Sequence, residues 1–339
     1  MENLPPEMQG STQVVASRHV KTNDDERQRL KRAKLLAFER LLPGVNAMCL
    51  TDGVAHYVAW STDSIVPTHP IKGVISNCSD CAGLSTFIWS NKEWPLARVD
   101  QYEVADAFLA RSGPFVRSEV ARFFVSTTIL ETEEQFVRGN GVGYSAQRAY
   151  AAAVLAAGRV GLPLTPDSRT RLLAILETNT GAAVADQIFR ATSAIHWEHL
   201  FLDLYRCIER LYAIPYVRLA RDRILALQPS GQVALSTPDL EDLLIDALGW
   251  RPKEMNALVE VLHKCQPGTV AMVLNVLAPS QRGLDDVPQL AKMIYEIRND
   301  CAHFRGGKRR GRFHGNWEVL IEGIVELIND ALSAYGSDL

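Results

Sequence analysis

The chain has 339 residues, 47% of them hydrophobic and 22% charged, with a formal net charge of −3. This is ordinary globular composition, enough for one large core or two smaller ones, and it lacks the global positive field of a general polyanion binder. No apolar run reaches the roughly 18 residues of a membrane span, and the first 13 residues lack the basic start and apolar block of a secretion signal, so a cytoplasmic location is expected.

Residues 1–21 are polar and unpatterned, and read as a mobile tail. Asn23-Asp24-Asp25-Glu26 then precedes RQRLKRAKLLAFERLL, acidic at its start and basic later, as the helix dipole favours. One helix is expected there, stopped by Pro43-Gly44. From 45 to 130 short runs rich in β-branched and aromatic residues follow: Val54–Trp60, Gly73–Ser76, Leu84–Trp89 and Arg122–Leu130. They read as strands, with one helix over Val99–Arg111.

Beyond 144 the period becomes helical. Helices are expected over Ser145–Arg159, Pro166–Glu177 and Ala182–Thr192, and over His196–Arg223 with a break at Pro215. Thr237-Pro238 opens another, threonine as N-cap. Further helices follow over Lys253–Lys264, Asp285–Phe304 and Asn316–Tyr335. The fold class that emerges is α+β, mainly α. It comprises a small strand-containing region over 22–144, a helical connector over 145–192 and an all-helical bundle over 193–339.

The densest chemistry lies in Arg298-Asn299-Asp300-Cys301-Ala302-His303. A histidine can move a proton near neutral pH, and an arginine can hold a phosphate through two parallel hydrogen bonds. Arg305, Lys308, Arg309, Arg310 and Arg312 follow immediately, so that from 298 to 312 Asp300 is the one acid among six basic residues. Such a cluster suits RNA phosphates. The looser spacing also occurs at Arg190–His196, with alanine after the arginine and no basic segment behind it. What distinguishes the later motif is Asn299 and the basic run. Leu290, Ile294, Ile297, Cys301 and Phe304 make the apolar stripe of its helix, and Tyr295, Asn299 and His303 share a polar flank. Arg298 and His303 diverge by about 140° on a straight helix. A frayed helix end or a second protomer would be needed to bring both to one phosphate.

The region 193–335 resembles the HEPN superfamily, on the strength of Arg298-Asn299-Asp300-Cys301-Ala302-His303 on a penultimate helix and of FLDLYRCIERLYAIPYV upstream. The resemblance implies a helical bundle acting as a metal-independent endoribonuclease that needs no cofactor, in a homodimer with two motif helices facing one cleft. The ribose 2′-hydroxyl attacks its phosphate and leaves a 2′,3′-cyclic phosphate. His303 is then the general acid or base, Arg298 stabilises the transition-state charge, and Asn299 orients a phosphate oxygen or the histidine. Residues 45–192 would sense or gate, in an antiphage (abortive-infection) or toxin setting with a regulatory or antitoxin partner. Family members paired with nucleotidyltransferase antitoxins carry a tyrosine two positions after the histidine. Arg305 stands there, which argues against regulation through that tyrosine. The alternative is a non-catalytic helical module binding RNA or protein.

Three other constellations have plainer readings. Cys78-Ser-Asp-Cys81 lacks the second ligand pair of a structural zinc site, although His56 and His69 lie upstream, and it lacks the helix opening of a redox pair. It reads as a turn, and all six cysteines (Cys49, Cys78, Cys81, Cys207, Cys265 and Cys301) read as reduced. Gly139-Asn-Gly-Val-Gly143-Tyr-Ser145 could cradle a phosphate at a helix start, but reads better as a hinge between the two halves. His196 and His199 share a spacing of three but have no third ligand, and read as a helix start packed by Trp197.

Overall fold

The computed structural model describes residues 20–62, 65, 67, 69–91, 93–95, 113–139, 143–178, 181–227, 237–248, 253–279, 286–302 and 313–338. The mobile tail expected over 1–21 falls almost wholly outside them, and the helix expected over Val99–Arg111 falls wholly outside them. The chain divides into two compact units, Met1–Ala157 and Gly158–Leu339.

The first unit is built on an antiparallel five-stranded sheet of order β1-β2-β3-β5-β4. Helix α1 (Asp24–Arg32) starts in a capping box between Asn23 and Glu26 and ends at Ala33. The expected continuation of this helix to Leu42 is wrong. Lys34–Leu42 is strand β1, paired with β2 (Val45–Thr51) across the Pro43-Gly44 turn. Gly44 has φ +82, the left-handed backbone that a tight hairpin requires. The Leu, Ala, Glu and Arg of β1 favour a helix locally, but pairing with VNAMCLT prevails.

A second hairpin joins β2 to β3 (His56–Trp60). The Asp52 carboxylate at its turn accepts the N–H groups of Val54 and Ala55 at 3.0 and 2.9 Å and the Tyr57 hydroxyl at 3.2 Å. Strand β5 (Thr128–Thr132) lies between β3 and β4 (Val74–Asn77). Strands β2 and β3 are buried on both faces, so they read as continuous apolar runs rather than alternating ones. Met48, Leu50, Tyr57, Ala59 and Ile129 face α2 (Ala82–Trp89) in one cluster with Leu84, Ile88 and Trp89. On the other face Trp60 meets Tyr150 of α5 (Gln147–Ala157) edge-on at 5.6 Å. Leu84–Trp89, expected as a strand, is therefore helical: its aromatic and β-branched residues cover a sheet instead of joining it. Among the described residues two further short helices are present, α3 (Arg117–Ala121) and α4 (Glu134–Val137).

Among the described residues the second unit is all helical. It runs through α6 (Pro166–Glu177), α7 (Ala182–Ser193), α8 (Trp197–Glu209), α9 (Ile214–Leu227), α10 (Thr237–Leu248), α11 (Glu254–Leu262), α12 (Pro267–Leu277), α13 (Val287–Ala302) and α14 (Trp317–Tyr335). The long α14 is its axis, packing against α6, α8 and α12 through Leu320, Ile324, Leu327, Ile328 and Ala331. Gly323 permits the close approach of α12, since a Cβ there would lie 2.6 Å from Val273 Cγ2. The break at Pro215 is present, with proline inside the first turn of α9.

Two expectations change here. Thr237 is the first residue of α10 instead of its N-cap, and its hydroxyl donates to Asp338 Oδ1 at 2.9 Å. Asp338 in turn accepts from Arg218 Nε at 2.8 Å, holding the turn after α14 against α9. The connector expected over 145–192 is shared between the units: α5 covers the sheet, whereas α6 and α7 pack on α14 and α8.

Candidate functional site

Helix α13 starts where Asp286 Oδ1 accepts the Gln289 N–H at 3.1 Å. Leu290, Ala291, Ile294 and Ile297 then form its buried stripe against α8, α11 and α12, and Cys301 is half-buried. Burying that stripe leaves Arg298 at the margin of the bundle, 21% exposed. His303 and Phe304 lie outside the described residues, as do the proposed RNA-binding residues Arg305, Lys308, Arg309, Arg310 and Arg312.

Three helices meet at Arg298. Its Nη2 donates to Glu209 Oε1 at 3.1 Å, at the end of α8, and lies 3.9 Å from Glu254 Oε2, at the start of α11. Its Nη1 donates to the neighbouring Asn299 Oδ1 at 3.0 Å. The guanidinium carbon lies 6.0 and 5.9 Å from the ring centres of Tyr205 and Tyr295, within the reach of cation–π attraction. The Tyr295 hydroxyl donates to Glu254 Oε2 at 3.0 Å, tying the same carboxylate to α13.

The electrostatics follow from the pairing. Burial works against the Arg298 charge, but Glu209 and then Glu254 overcome it and raise its pKa. A carboxylate at a helix C-terminus is disfavoured by the dipole, so Glu209 gains from the arginine. Beneath the ion pair the Tyr205 and Tyr212 hydroxyls bond each other at 2.5 Å, and burial pushes both phenol pKa values up.

The structure thus brings Arg298 and Asn299 together with two carboxylates and two tyrosines. Glu209 and Glu254 were missed from sequence. The one available signal was Glu209 four residues after Tyr205, an acid on the flank of an otherwise apolar helical face. The competing pair Arg190–His196 shows no such convergence: Arg190 pairs with Asp186 on its own helix at 3.2 Å, and exposed His196 packs edge-on to His199 at 5.5 Å.

The remaining constellations are also resolved. At the start of α5 the Glu39 carboxylate accepts from Ser145 Oγ at 3.2 Å and from the Ala146 N–H at 3.3 Å. Burial raises the Glu39 pKa against those two bonds. The loop after Gly139 lies within the first unit, so it is no hinge between halves, and an internal carboxylate already sits at the helix start that a phosphate would use. Cys78 and Cys81 do open a helix: Cys81 is the N-cap residue of α2, directly after β4 and a turn. That setting was hidden while Leu84–Trp89 read as a strand. Among the described residues no group of three or more His, Cys, Asp or Glu side chains is placed to hold a metal ion, and no helix is long and apolar enough to cross a membrane. No protein-family model matches the chain, and no curated protein or solved structure matches it either.

Proposed function

We propose that the chain is a metal-independent endoribonuclease of the HEPN type, cutting RNA by attack of the ribose 2′-hydroxyl on the adjacent phosphate. The supporting observation is the placement of Arg298 and Asn299 side by side at the margin of a helical bundle, on its penultimate helix. There the guanidinium is oriented by carboxylates from two other helices. An arginine held in this way loses little freedom when a phosphate arrives and takes the place of Glu209 at Nη2. In the reaction the 2′-hydroxyl proton goes to a general base and the 5′-oxygen of the next nucleotide leaves with a proton from a general acid. His303 serves this chemistry, and Arg298 stabilises the pentacovalent phosphorane.

The five-residue spacing of Arg298 and His303, which would set them about 140° apart on a straight helix, supports an active homodimer in which motif helices of two protomers share one cleft. The basic residues Arg305, Lys308, Arg309, Arg310 and Arg312 hold the RNA backbone. The setting is a cytoplasmic antiphage or toxin effector, controlled through residues 45–192 or by a partner protein.

A second reading is favoured by the same ion pair. Two carboxylates already satisfy the Arg298 charge, as they would for a purely structural arginine in a non-catalytic RNA- or protein-binding module. One experiment separates the two. Wild-type, Arg298→Ala and His303→Ala chains are incubated with total RNA and a chelator, and the new 3′ ends are typed. The nuclease reading expects 2′,3′-cyclic phosphates from the wild type alone. Equal cleavage by all three, or none by the wild type with RNA binding intact, would sink it.

A further inference from the structure

The chemistry-bearing side chains of the first unit concentrate around Cys78 and Cys81. The segment is tightly pinned. The Cys78 N–H donates to the Ile129 carbonyl at 2.8 Å, the Ile129 N–H donates to Ser79 Oγ at 3.0 Å, and the Ser79 N–H donates to Asn77 Oδ1 at 2.9 Å. The Cys81 N–H closes the turn onto the Cys78 carbonyl at 2.9 Å. In such a turn the outer Cα atoms lie under about 7 Å apart, the separation a disulfide bridges with little backbone movement. Both thiols are free and half-buried.

Their surroundings differ. Cys81 stands at the positive end of α2, where no cap hydrogen bond uses its side chain. Its neighbours include the cations Arg29 and Arg117 and the acids Asp80, 3.5 Å from Arg117, and Glu26, whose carboxylate accepts the Ala82 N–H at 2.7 Å. Cys78 Sγ lies 3.2 Å from Ser76 Oγ and 3.8 Å from Glu131 Oε2, and Ser76 Oγ donates to that same oxygen at 2.9 Å. Ser76 and Glu131 face each other across the β4–β5 ladder, so the trio is built into the sheet. Burial pushes the Cys78 thiol pKa up and the Glu131 charge adds to it, against the Ser76 hydrogen bond and Arg29, which lower it.

We infer that Cys78 and Cys81 form a dithiol–disulfide centre that exchanges with small-molecule disulfides of the glutathione class, with Cys81 attacking and Cys78 resolving. The Cys81 side chain, at the N-cap of α2, makes no cap hydrogen bond and is left for the first attack, whereas Cys78 has Ser76 and Glu131 beside it to receive its proton in the second step. In the first step the Cys81 thiolate attacks one sulfur of the small disulfide. A Cys81–S–S–R bond forms, and the released thiolate takes up the proton that Cys81 gave to solvent. In the second step Cys78 passes its proton to Glu131, directly or through Ser76, and attacks the Cys81 sulfur. The Cys78–Cys81 bond forms and the second small thiol leaves with that proton. Two protein thiols and one disulfide become one protein disulfide and two small thiols, and two electrons pass to the small molecule. The inference rests on the first unit alone and is independent of the nuclease reading.

The other cysteines provide internal controls. Cys49, Cys207 and Cys265 are buried, and burial pushes all three thiol pKa values up, to about 12 for Cys207 and Cys265. The test treats the reduced full chain with graded mixtures of reduced and oxidised glutathione, quenches by alkylation and reads each cysteine by peptide mass spectrometry. The wild type is expected to form the 78–81 disulfide while the three buried thiols stay reduced. Cys78→Ser should trap a glutathione adduct on Cys81. Cys81→Ser should form an adduct on Cys78 at least severalfold more slowly, because burial disfavours the Cys78 thiolate. Glu131→Gln should slow disulfide closure and leave the first adduct's rate unchanged, and Cys78→Ala and Cys81→Ala repeat the comparison should a serine perturb folding. A wild-type pair that stays dithiol in a mixture oxidising enough to modify Cys301, or equal adduct rates on Cys78 and Cys81, would overturn the inference.

Discussion

The Arg298 guanidinium on α13 donates at 3.1 Å to the carboxylate of Glu209, the final residue of α8. The two residues are 89 positions apart in sequence, and both side chains are roughly three-quarters buried. Replacing Glu209 by Gln keeps an acceptor and removes the charge. Stability, measured by urea denaturation, should fall by about 1 kcal/mol. RNA affinity at fixed salt should rise by roughly threefold to fivefold, because phosphate then displaces an amide instead of a carboxylate. Unchanged affinity would mean that Arg298 does not meet RNA.

For cleavage itself, Arg298→Ala and His303→Ala should each lower the rate by roughly 10²–10³-fold. Arg298→Lys should recover little, since an ammonium cannot reproduce the planar fork. Single-turnover rates on a defined RNA, compared at equal bound fraction, are the measurement. A lysine variant near wild-type rate would show that only the charge matters.

The approach of α12 to α14 predicts a packing defect. Gly323→Ala gains helix propensity of about 0.5–1 kcal/mol but drives a Cβ to 2.6 Å from Val273 Cγ2. Overpacking of about 1–3 kcal/mol should win, so the variant is less stable. Adding Val273→Ala removes the clashing methyl, and the double variant should lose less than the sum of the two single losses. Strict additivity in thermal or urea unfolding would refute the contact.

Asp52 predicts a pH dependence. Burial opposes its charge, but the N–H groups of Ala55 and Val54, the Tyr57 hydroxyl and Arg32 outweigh it and lower its pKa. Its folded value therefore lies below the unfolded value near ~3.9. The carboxylate's contribution is complete above that unfolded value and is lost as the pH falls through the folded one. Asp52→Asn should cost about 1–3 kcal/mol at neutral pH, and its gap to wild type in urea midpoint should narrow toward pH 3. A constant gap would mean that the charge is irrelevant.

The second unit was largely legible because its signals are local. Thr165 caps α6 by accepting the Ser168 N–H, and Asn316 caps α14 by accepting the Glu318 N–H. Each cap sits directly before an apolar period of 3.6. The first unit was less legible because long-range pairing decides it. KLLAFERLL has helical propensity and becomes a strand only through Val45–Thr51, while LSTFIW has strand propensity and becomes a helix only because a sheet needs covering. Arg298 and Asn299 could be singled out as chemistry, but their carboxylate partners could not. No local pattern encodes that the end of α8 and the start of α11 converge on α13.

In the first unit, two helix starts are filled from within: Glu26 accepts the first N–H of α2, and Glu39 accepts the N–H preceding α5. A carboxylate tethered beside its donors competes at an effective concentration of roughly millimolar or more. A free phosphate or a stray nucleotide must outcompete that built-in ligand and so gains no foothold there.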